Sequence, residues 1–216
     1  MNRYVIFDLD GTLFDSMGFW EGVGRTFLGR YGIREFPADF NDRVKAMSIA
    51  EACRYFREDF DIDVTDEYTS NAMFEIVADK YRYEAEFKPN VRATLDTLRA
   101  SGVKMCIATA TYPTLVREAL ERLNATSYFE FVLSCQDVGA GKNEPKVFDT
   151  ALERLGGDKS NTVIVEDALH AITTAKSNGY KVVAVEDSHQ SSNRESIMAL
   201  ADVYLHVMDA DTILSL

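Results

Sequence analysis

Two patterns of apolar and polar residues alternate along the chain, and they predict where its strands and helices lie. Short apolar runs bounded by turn-forming residues are typical of buried parallel strands. Such runs occupy residues 4–7, 103–108, 131–134, 162–165, 182–185 and 203–205. Segments whose apolar residues recur at helical spacing lie between the later runs. This alternation of strands with helices predicts an α/β fold with a parallel sheet and right-handed crossovers.

Residues 17–83 interrupt this alternation, because their apolar residues recur at helical spacing and include no convincing strand. Ser48 followed by Glu51 has the spacing of a capping box and predicts the start of one helix. The predicted organisation is therefore an α/β core of residues 1–16 and 84–216, into which an all-α segment is inserted.

The composition is that of an ordinary soluble globular protein. The 216 residues are 46% hydrophobic and 27% charged, which excludes a disordered chain. No apolar run approaches the ~20 residues that a membrane-spanning helix needs. The formal net charge of −12 argues against nucleic acid or an anionic membrane surface as a partner. An anionic substrate must then be attracted by local cations.

The cysteines and the start of the first strand indicate the cellular compartment in which the protein is expected. Cys53, Cys106 and Cys135 are odd in number and widely spaced, which argues against a disulfide framework and against a paired-cysteine metal site. The first strand begins at Tyr4 and leaves no room for a signal peptide. A cytoplasmic location is expected. Because nothing indicates a large apolar patch, a monomer or a weak dimer is expected too.

Polar residues follow four of the predicted strands at the point where each strand ends. They are Asp8 and Asp10 after the first strand, Thr109 at the end of the second, Lys142 in the loop after the third, and Glu166 and Asp167 after the fourth. The carboxyl ends of parallel strands share one edge of a sheet, where ligands bind in open α/β folds. Two acids, a hydroxyl, a cation and a further acid pair are what metal-assisted phosphoryl transfer through a carboxylate nucleophile requires.

Taken singly, each of these residues has an ordinary structural explanation. Asp is common in turns, a Thr often ends a strand, and a loop lysine is usually solvated. Glu186 and Asp187 also repeat the acid pair one strand later, so a second position for this pair stays open. The order of the residues along the chain is more informative than their types.

That order resembles the haloacid dehalogenase-like superfamily of phosphohydrolases. The matching segments are Asp-Leu-Asp-Gly-Thr at 8–12, Thr109, Gly-Lys at 141–142 with Pro145 three residues on, and Val-Glu-Asp at 165–167. The likeness is closest to the subfamily that includes phosphoglycolate phosphatases and β-phosphoglucomutases. It implies a Rossmann-like core with a helical cap at 17–83, and it favours Glu166-Asp167 over Glu186-Asp187.

The resemblance also implies a role for each catalytic residue. Asp8 would attack phosphorus and form an aspartyl-phosphate. Asp10 would protonate the leaving alkoxide and then activate water. Thr109 and the backbone N–H of Ala110 would bind phosphoryl oxygens, and Lys142 would neutralise charge on the phosphoryl group and on Asp8.

A magnesium site is implied by the same resemblance. Asp8, the carbonyl oxygen of Asp10 and Asp167 would hold Mg²⁺, with Glu166 in or near that shell. Ala168 stands where the family usually has Ser, so the orientation of Asp167 could be looser and metal binding weaker.

The activity implied is that of a Mg²⁺-dependent phosphatase. Its substrate would be a small phosphorylated metabolite, a phosphate monoester such as a sugar phosphate or a phosphoglycolate-like acid. Closure of the cap would exclude water and set specificity. Lys45 is the candidate contact for the distal group of the substrate.

The sequence supports three alternatives to a phosphatase to different degrees. Dehalogenases of the superfamily lack the second acid, which is present here as Asp10. β-Phosphoglucomutases carry a His after the first motif and an Arg in the first cap loop, whereas 17–20 contain no His and 44–49 offer only Lys45. A phosphomutase stays open as an alternative, as does a non-catalytic protein that keeps the fold for binding or regulation.

Overall fold

The computed structural model describes residues 4–20, 22–46 and 49–216, which divide into two compact units. The core contains the chain up to Asp15 together with Ala85–Leu216, and the helical unit is Ser16–Glu84. Among the described residues, no helix has both the length and the apolar composition that crossing a membrane requires.

The core is built on one six-stranded sheet in which every neighbouring pair of strands is parallel. The strands are β1 (Tyr4–Phe7), β2 (Lys104–Thr109), β3 (Val132–Ser134), β4 (Thr162–Glu166), β5 (Lys181–Val185) and β6 (Val203–Leu205). Their order across the sheet is β3-β2-β1-β4-β5-β6. The chain therefore builds outward from β1 in one direction and then crosses to the other side, which makes β1 and β4 the switch point where ligands bind in such sheets.

The register of the three central strands aligns their carboxyl ends. Phe7 of β1 lies opposite Ile107 of β2 and Val165 of β4. The N–H of Asp8 continues this ladder by donating to the carbonyl oxygen of Val165 at 2.9 Å. The residues that follow these strands are consequently brought to one edge.

Both faces of the sheet are covered. The consecutive residues Val5, Ile6 and Phe7 are all fully buried, although alternate side chains of a strand point to opposite faces. Ile6 belongs to a core cluster that includes Phe148 and Ile172 from helices packed on the sheet. Burial on both faces explains why the strands read as continuous apolar runs rather than as alternating ones.

The described residues of the helical unit form five helices around an aromatic cluster. They are α1 (Met17–Trp20), α2 (Val23–Gly29), α3 (Phe40–Ala46), α4 (Ile49–Asp59) and α5 (Asp66–Tyr83). Phe27 and Phe40 each stack on Phe56, with ring centroids 5.9 and 6.1 Å away. A Cβ on Gly24 would lie 2.8 Å from the Phe56 ring, so only glycine allows this close approach. The predicted capping box lies partly outside the described residues, since Ser48 is not among them.

Seven α-helices follow in chain order within the part of the core that the structure describes. They are α6 (Val91–Ala100), α7 (Pro113–Arg122), α8 (Cys135–Val138), α9 (Lys146–Leu155), α10 (Leu169–Ser177), α11 (Arg194–Leu200) and α12 (Ala210–Ser215). Helix α8 was not predicted. Ser134 and Asp137 form a capping box around its first turn, and their spacing of three residues is the sequence signal that indicates it.

Candidate active site

A buried lysine joins two carboxylates at the carboxyl edge of the sheet. The Nζ atom of Lys142 forms an ion pair with Oδ1 of Asp8, and it lies 2.7 Å from Oε1 of Glu166. All three side chains are less than one-tenth exposed. Lys142 reaches this position from the loop that precedes α9, while Asp8 directly follows β1 and Glu166 ends β4. The predicted convergence of strand ends thus brings these three charges together.

Glu166 has hydrogen bonds on both of its carboxylate oxygens. Oε1 accepts from Lys142, and Oε2 accepts from the backbone N–H groups of Asp167 and Ala168, each at 2.8 Å. Glu166 therefore holds the cation on one side and fixes the turn into α10 on the other.

Three buried carboxylates are grouped closely enough to hold one metal ion. Asp8, Glu166 and Asp167 each offer an oxygen, and these atoms lie within 4.8 Å of one another. Oδ2 of Asp8 is buried without a hydrogen-bond partner in the structure. An unpaired, buried carboxylate oxygen beside a second acid fits a hard divalent cation, because such ions take oxygen ligands and offset the repulsion between carboxylates.

Thr12 orients the last of these acids. Its fully buried Oγ1 donates to Oδ1 of Asp167 at 3.2 Å. This contact offers Asp167 a hydroxyl donor although Ala168 supplies none, so the looser orientation expected from Ala168 is offset by a residue of the first loop.

The second acid of the first loop is linked to the end of β2. Oγ1 of Thr111 donates to Oδ2 of Asp10 at 2.6 Å, and the N–H of Thr111 donates to Oγ1 of Thr109 at 2.9 Å. Thr109 is fully buried, and its hydroxyl retains a hydrogen that it can donate, since a hydroxyl is both donor and acceptor. Ala110, between the two threonines, is exposed.

The repeated acid pair after β5 has a different role. Nζ of Lys88 contacts Oδ2 of Asp187 at 2.9 Å and donates to the carbonyl oxygens of Gly11 and Glu186, each at 2.6 Å. Burial would raise the pKa of Asp187, but the hydrogen bonds from Lys88 and from the N–H of His189 lower it below its usual value. Asp187 thereby anchors Lys88, which ties the loop after β1 to the loop after β5.

The electrostatics of the metal-free site are dominated by burial. Burial raises the pKa of Asp8 to about 7 against the opposing effect of Lys142, and the carboxylates of Glu166 and Asp10 add to the rise. Burial, reinforced by Glu166 and Asp8, holds the pKa of Asp167 well above its usual value. Burial alone would lower the pKa of Lys142, but the two carboxylates beside it outweigh this effect and raise it.

These shifts predict that the metal-free protein loses stability as the pH rises. The pKa of Asp8 lies near 7 in the folded protein and near 3.8 in the unfolded chain, so between these values the folded protein binds the extra proton. The free energy of unfolding should therefore fall from pH 4 to pH 7. Urea unfolding in EDTA should give a value lower by more than about 1 kcal/mol at pH 8 than at pH 5.

Adding Mg²⁺ and replacing Asp8 test whether the pH dependence of stability comes from this site. Mg²⁺ should restore stability at pH 8, because a ligand that binds only the folded state stabilises it. Asp8→Asn should weaken the pH dependence. If the metal-free protein were as stable at pH 8 as at pH 5, or more stable, the raised pKa of Asp8 would be contradicted.

Several residues of the site were not assigned roles from the sequence. Thr12 belongs to the Asp-Leu-Asp-Gly-Thr segment and Lys88 precedes α6, but nothing in their spacing reveals what their side chains contact. Thr111 carries no motif signal at all. Lys45 lies in α3 of the helical unit, and its side chain lies outside the part that the structure describes.

The parallel sheet and its buried group of acids define an α/β protein with a carboxylate-rich site. The chain belongs to the haloacid dehalogenase-like hydrolase family, whose model matches residues 5–185. This confirms the predicted family and, with it, the hydrolase class.

Curated relatives cover most of the chain. A phosphorylated carbohydrates phosphatase of Thermotoga maritima is 28% identical over 81% of this chain and 81% of its own. A phosphoglycolate phosphatase of Neisseria meningitidis is 27% identical over 84% of this chain and 79% of its own. These relatives support the predicted class of phosphoric monoester hydrolases.

Solved structures show the same fold over nearly the whole chain. CbbY of Rhodobacter sphaeroides in complex with phosphate has a TM-score of 0.76 at 19% identity, covering 95% of this chain and 93% of its own. β-Phosphoglucomutase of Clostridium difficile has a TM-score of 0.76 at 17% identity, covering 100% and 96%. The predicted Rossmann-like core with an inserted helical unit is therefore confirmed as the fold class.

Proposed function

We propose that this hydrolase is a Mg²⁺-dependent phosphatase that acts on a small phosphate monoester through an aspartyl-phosphate on Asp8. One observation carries the proposal: Oδ2 of Asp8 is buried and unpartnered, while Oδ1 is paired with Lys142 and the carboxylate of Asp167 lies alongside. A carboxylate with one oxygen held and the other without a partner suits nucleophilic attack.

The proposed reaction has two steps. An oxygen of Asp8 bonds to phosphorus as the ester bond breaks, and Asp10 in its protonated form gives its proton to the leaving alkoxide. Asp10 then takes a proton from water, whose oxygen attacks phosphorus and releases Asp8 and inorganic phosphate. Lys142 and Thr109 stabilise the charge on the phosphoryl oxygens in both steps, with the N–H of Ala110 as a further donor.

The proposed metal ligands are Asp8, Asp167 and the carbonyl oxygen of Asp10. Glu166 lies in or near this shell. Its Oε1 accepts from Lys142, and its Oε2 accepts from the backbone N–H groups of Asp167 and Ala168. When bound, Mg²⁺ would supply positive charge that favours the ionised form of Asp8 and polarises the phosphoryl group. This charge opposes the effect of burial on the pKa of Asp8.

The substrate class proposed is a sugar phosphate or a small phosphorylated acid. The names of the relatives support it, since they act on phosphorylated carbohydrates and on phosphoglycolate. We propose that residues 17–83 form a cap that excludes water, with Lys45 contacting the distal group of the substrate. A cytoplasmic location and a monomeric or weakly dimeric state stay predictions.

Phosphate release from a panel of sugar and acid phosphates tests the proposal. We expect release in Mg²⁺ that is concentrated on a few substrates and is abolished by EDTA. Conversion of a sugar phosphate into its positional isomer without phosphate release would favour the phosphomutase instead. No turnover of any kind, with Mg²⁺ still bound, would favour the non-catalytic alternative.

A further inference from the structure

Thr111 is buried in the loop between β2 and α7 and makes two hydrogen bonds that join separate parts of the site. Its hydroxyl donates to Oδ2 of Asp10 at 2.6 Å, and its N–H donates to Oγ1 of Thr109 at 2.9 Å. Thr111 is only 4% exposed and Asp10 is half-buried, so the bond between them is partly shielded from water. Asp10 is 101 residues away along the chain, so only the fold brings the two together.

We propose that Thr111 is a positioning residue for the acid/base carboxyl of Asp10, an inference that rests on the proposed phosphatase function. A hydroxyl donor on Oδ2 restricts rotation of this carboxyl group about its side-chain bonds. Proton transfer needs a donor and an acceptor within hydrogen-bond reach, and a displacement of about 1 Å can cost about 100-fold in rate. Thr111 keeps its own proton throughout the reaction.

The two protonation states of Asp10 explain what this bond does in each step. When the proton passes to the leaving oxygen, Asp10 becomes a carboxylate, which accepts the hydrogen bond from Thr111 more strongly than the neutral acid does. The bond therefore strengthens as the ester bond breaks. In the second step the same contact holds the carboxylate that takes a proton from water.

Two other roles would give Thr111 the same buried position. It could bind the substrate directly, or it could only pack the loop between β2 and α7. These roles differ from positioning of a general acid in one measurable respect. A general acid is needed for an alkoxide to leave, whereas p-nitrophenolate leaves without being protonated.

The experiment compares Thr111→Val with the wild-type protein on an alkyl phosphate taken from the active panel and on p-nitrophenyl phosphate. We expect kcat/KM to fall about tenfold or more for the alkyl phosphate and less than about threefold for the aryl phosphate, with KM little changed. Thr111→Ser keeps the hydroxyl and should restore most of the activity on the alkyl phosphate. Thr173→Val, the same change at an exposed position of α10, is the matched control.

The ratio of the two kcat/KM values does not depend on the fraction of folded enzyme, because inactive protein lowers both equally. An equal loss on both substrates, or a loss confined to KM, would overturn the positioning role while leaving the phosphatase proposal intact. Absence of phosphate release by the wild-type protein would contradict both the phosphatase proposal and the positioning role of Thr111.

Discussion

Replacing Asp8 by Asn should abolish turnover, with kcat at least about 10⁴-fold lower, while the fold is retained. The amide keeps the shape of the carboxyl group but cannot form the acyl-phosphate bond. The measurement is phosphate release in Mg²⁺ on the best substrate of the panel. Asp15→Asn, which changes an exposed acid of the same segment, is the control and should retain activity. A rate near that of the wild-type protein would refute the proposed mechanism.

The same substitution should not destabilise the metal-free protein. Lys142 contacts Asp8 and Glu166, and Asp167 lies beside them, so three carboxylates accompany one ammonium group. The raised pKa of Asp8 shows that burial outweighs the attraction of Lys142. Removing one acid therefore relieves repulsion, and thermal unfolding in EDTA at pH 8 should occur at the same or a higher temperature. A large fall in this temperature would show that the ion pair is mainly structural.

Replacing Lys142 by Met should reduce both activity and stability. The side chain keeps its length but loses the charge that is proposed to stabilise the phosphoryl oxygens, which should lower kcat by about 10²–10³-fold or more. Removal of the cation also leaves buried carboxylates without compensation, so the free energy of unfolding at pH 8 should fall by about 3–5 kcal/mol. Phosphate release and urea unfolding in EDTA measure the two effects.

Lys146→Met provides a matched control four residues further on. Lys146 is exposed, and its Nζ donates to the carbonyl oxygen of Val138 at 2.8 Å, so its loss should change stability by less than about 1 kcal/mol. The loss of stability in Lys142→Met should also be smaller at pH 5, where the remaining carboxyls with raised pKa values take up protons. Similar effects of the two substitutions would contradict the central role of Lys142.

The positions of the main charged residues were predictable because parallel strands fix them. Once six apolar runs are assigned to one parallel sheet, the residues that directly follow them must lie at its carboxyl edge. Asp8, Lys142 and Glu166 are therefore expected near one another if their strands are neighbours. This expectation does not depend on side-chain geometry.

The contacts made by Thr12, Lys88 and Thr111 were not predictable in this way. Each donates to a group far away along the chain: Thr12 to Asp167, Lys88 to the carbonyl of Gly11, and Thr111 to Asp10. These bonds depend on loop conformations that periodicity does not encode. Gly11, with φ at 87°, has one of these loop conformations.

Asn90 has a backbone conformation that glycine favours. Its φ is 64°, in the left-handed region. Asn tolerates this region better than most side chains, and its Nδ2 donates to the carbonyl oxygen of Met208 at 2.7 Å. The side chain thus adds a bond to the segment before α12.

The central place of β1 in the sheet has a consequence for how the protein assembles during synthesis. Tyr4 pairs with Lys104 on one side and with Thr162 on the other, so β1 has neither of these neighbours until β2 and β4 have been synthesised. Pairing across such separations is slow, because the intervening loop must be closed first. The helical unit is contiguous in sequence and is made in between. Asp8, which directly follows β1, therefore acquires its neighbours across the sheet only after β4 has been made.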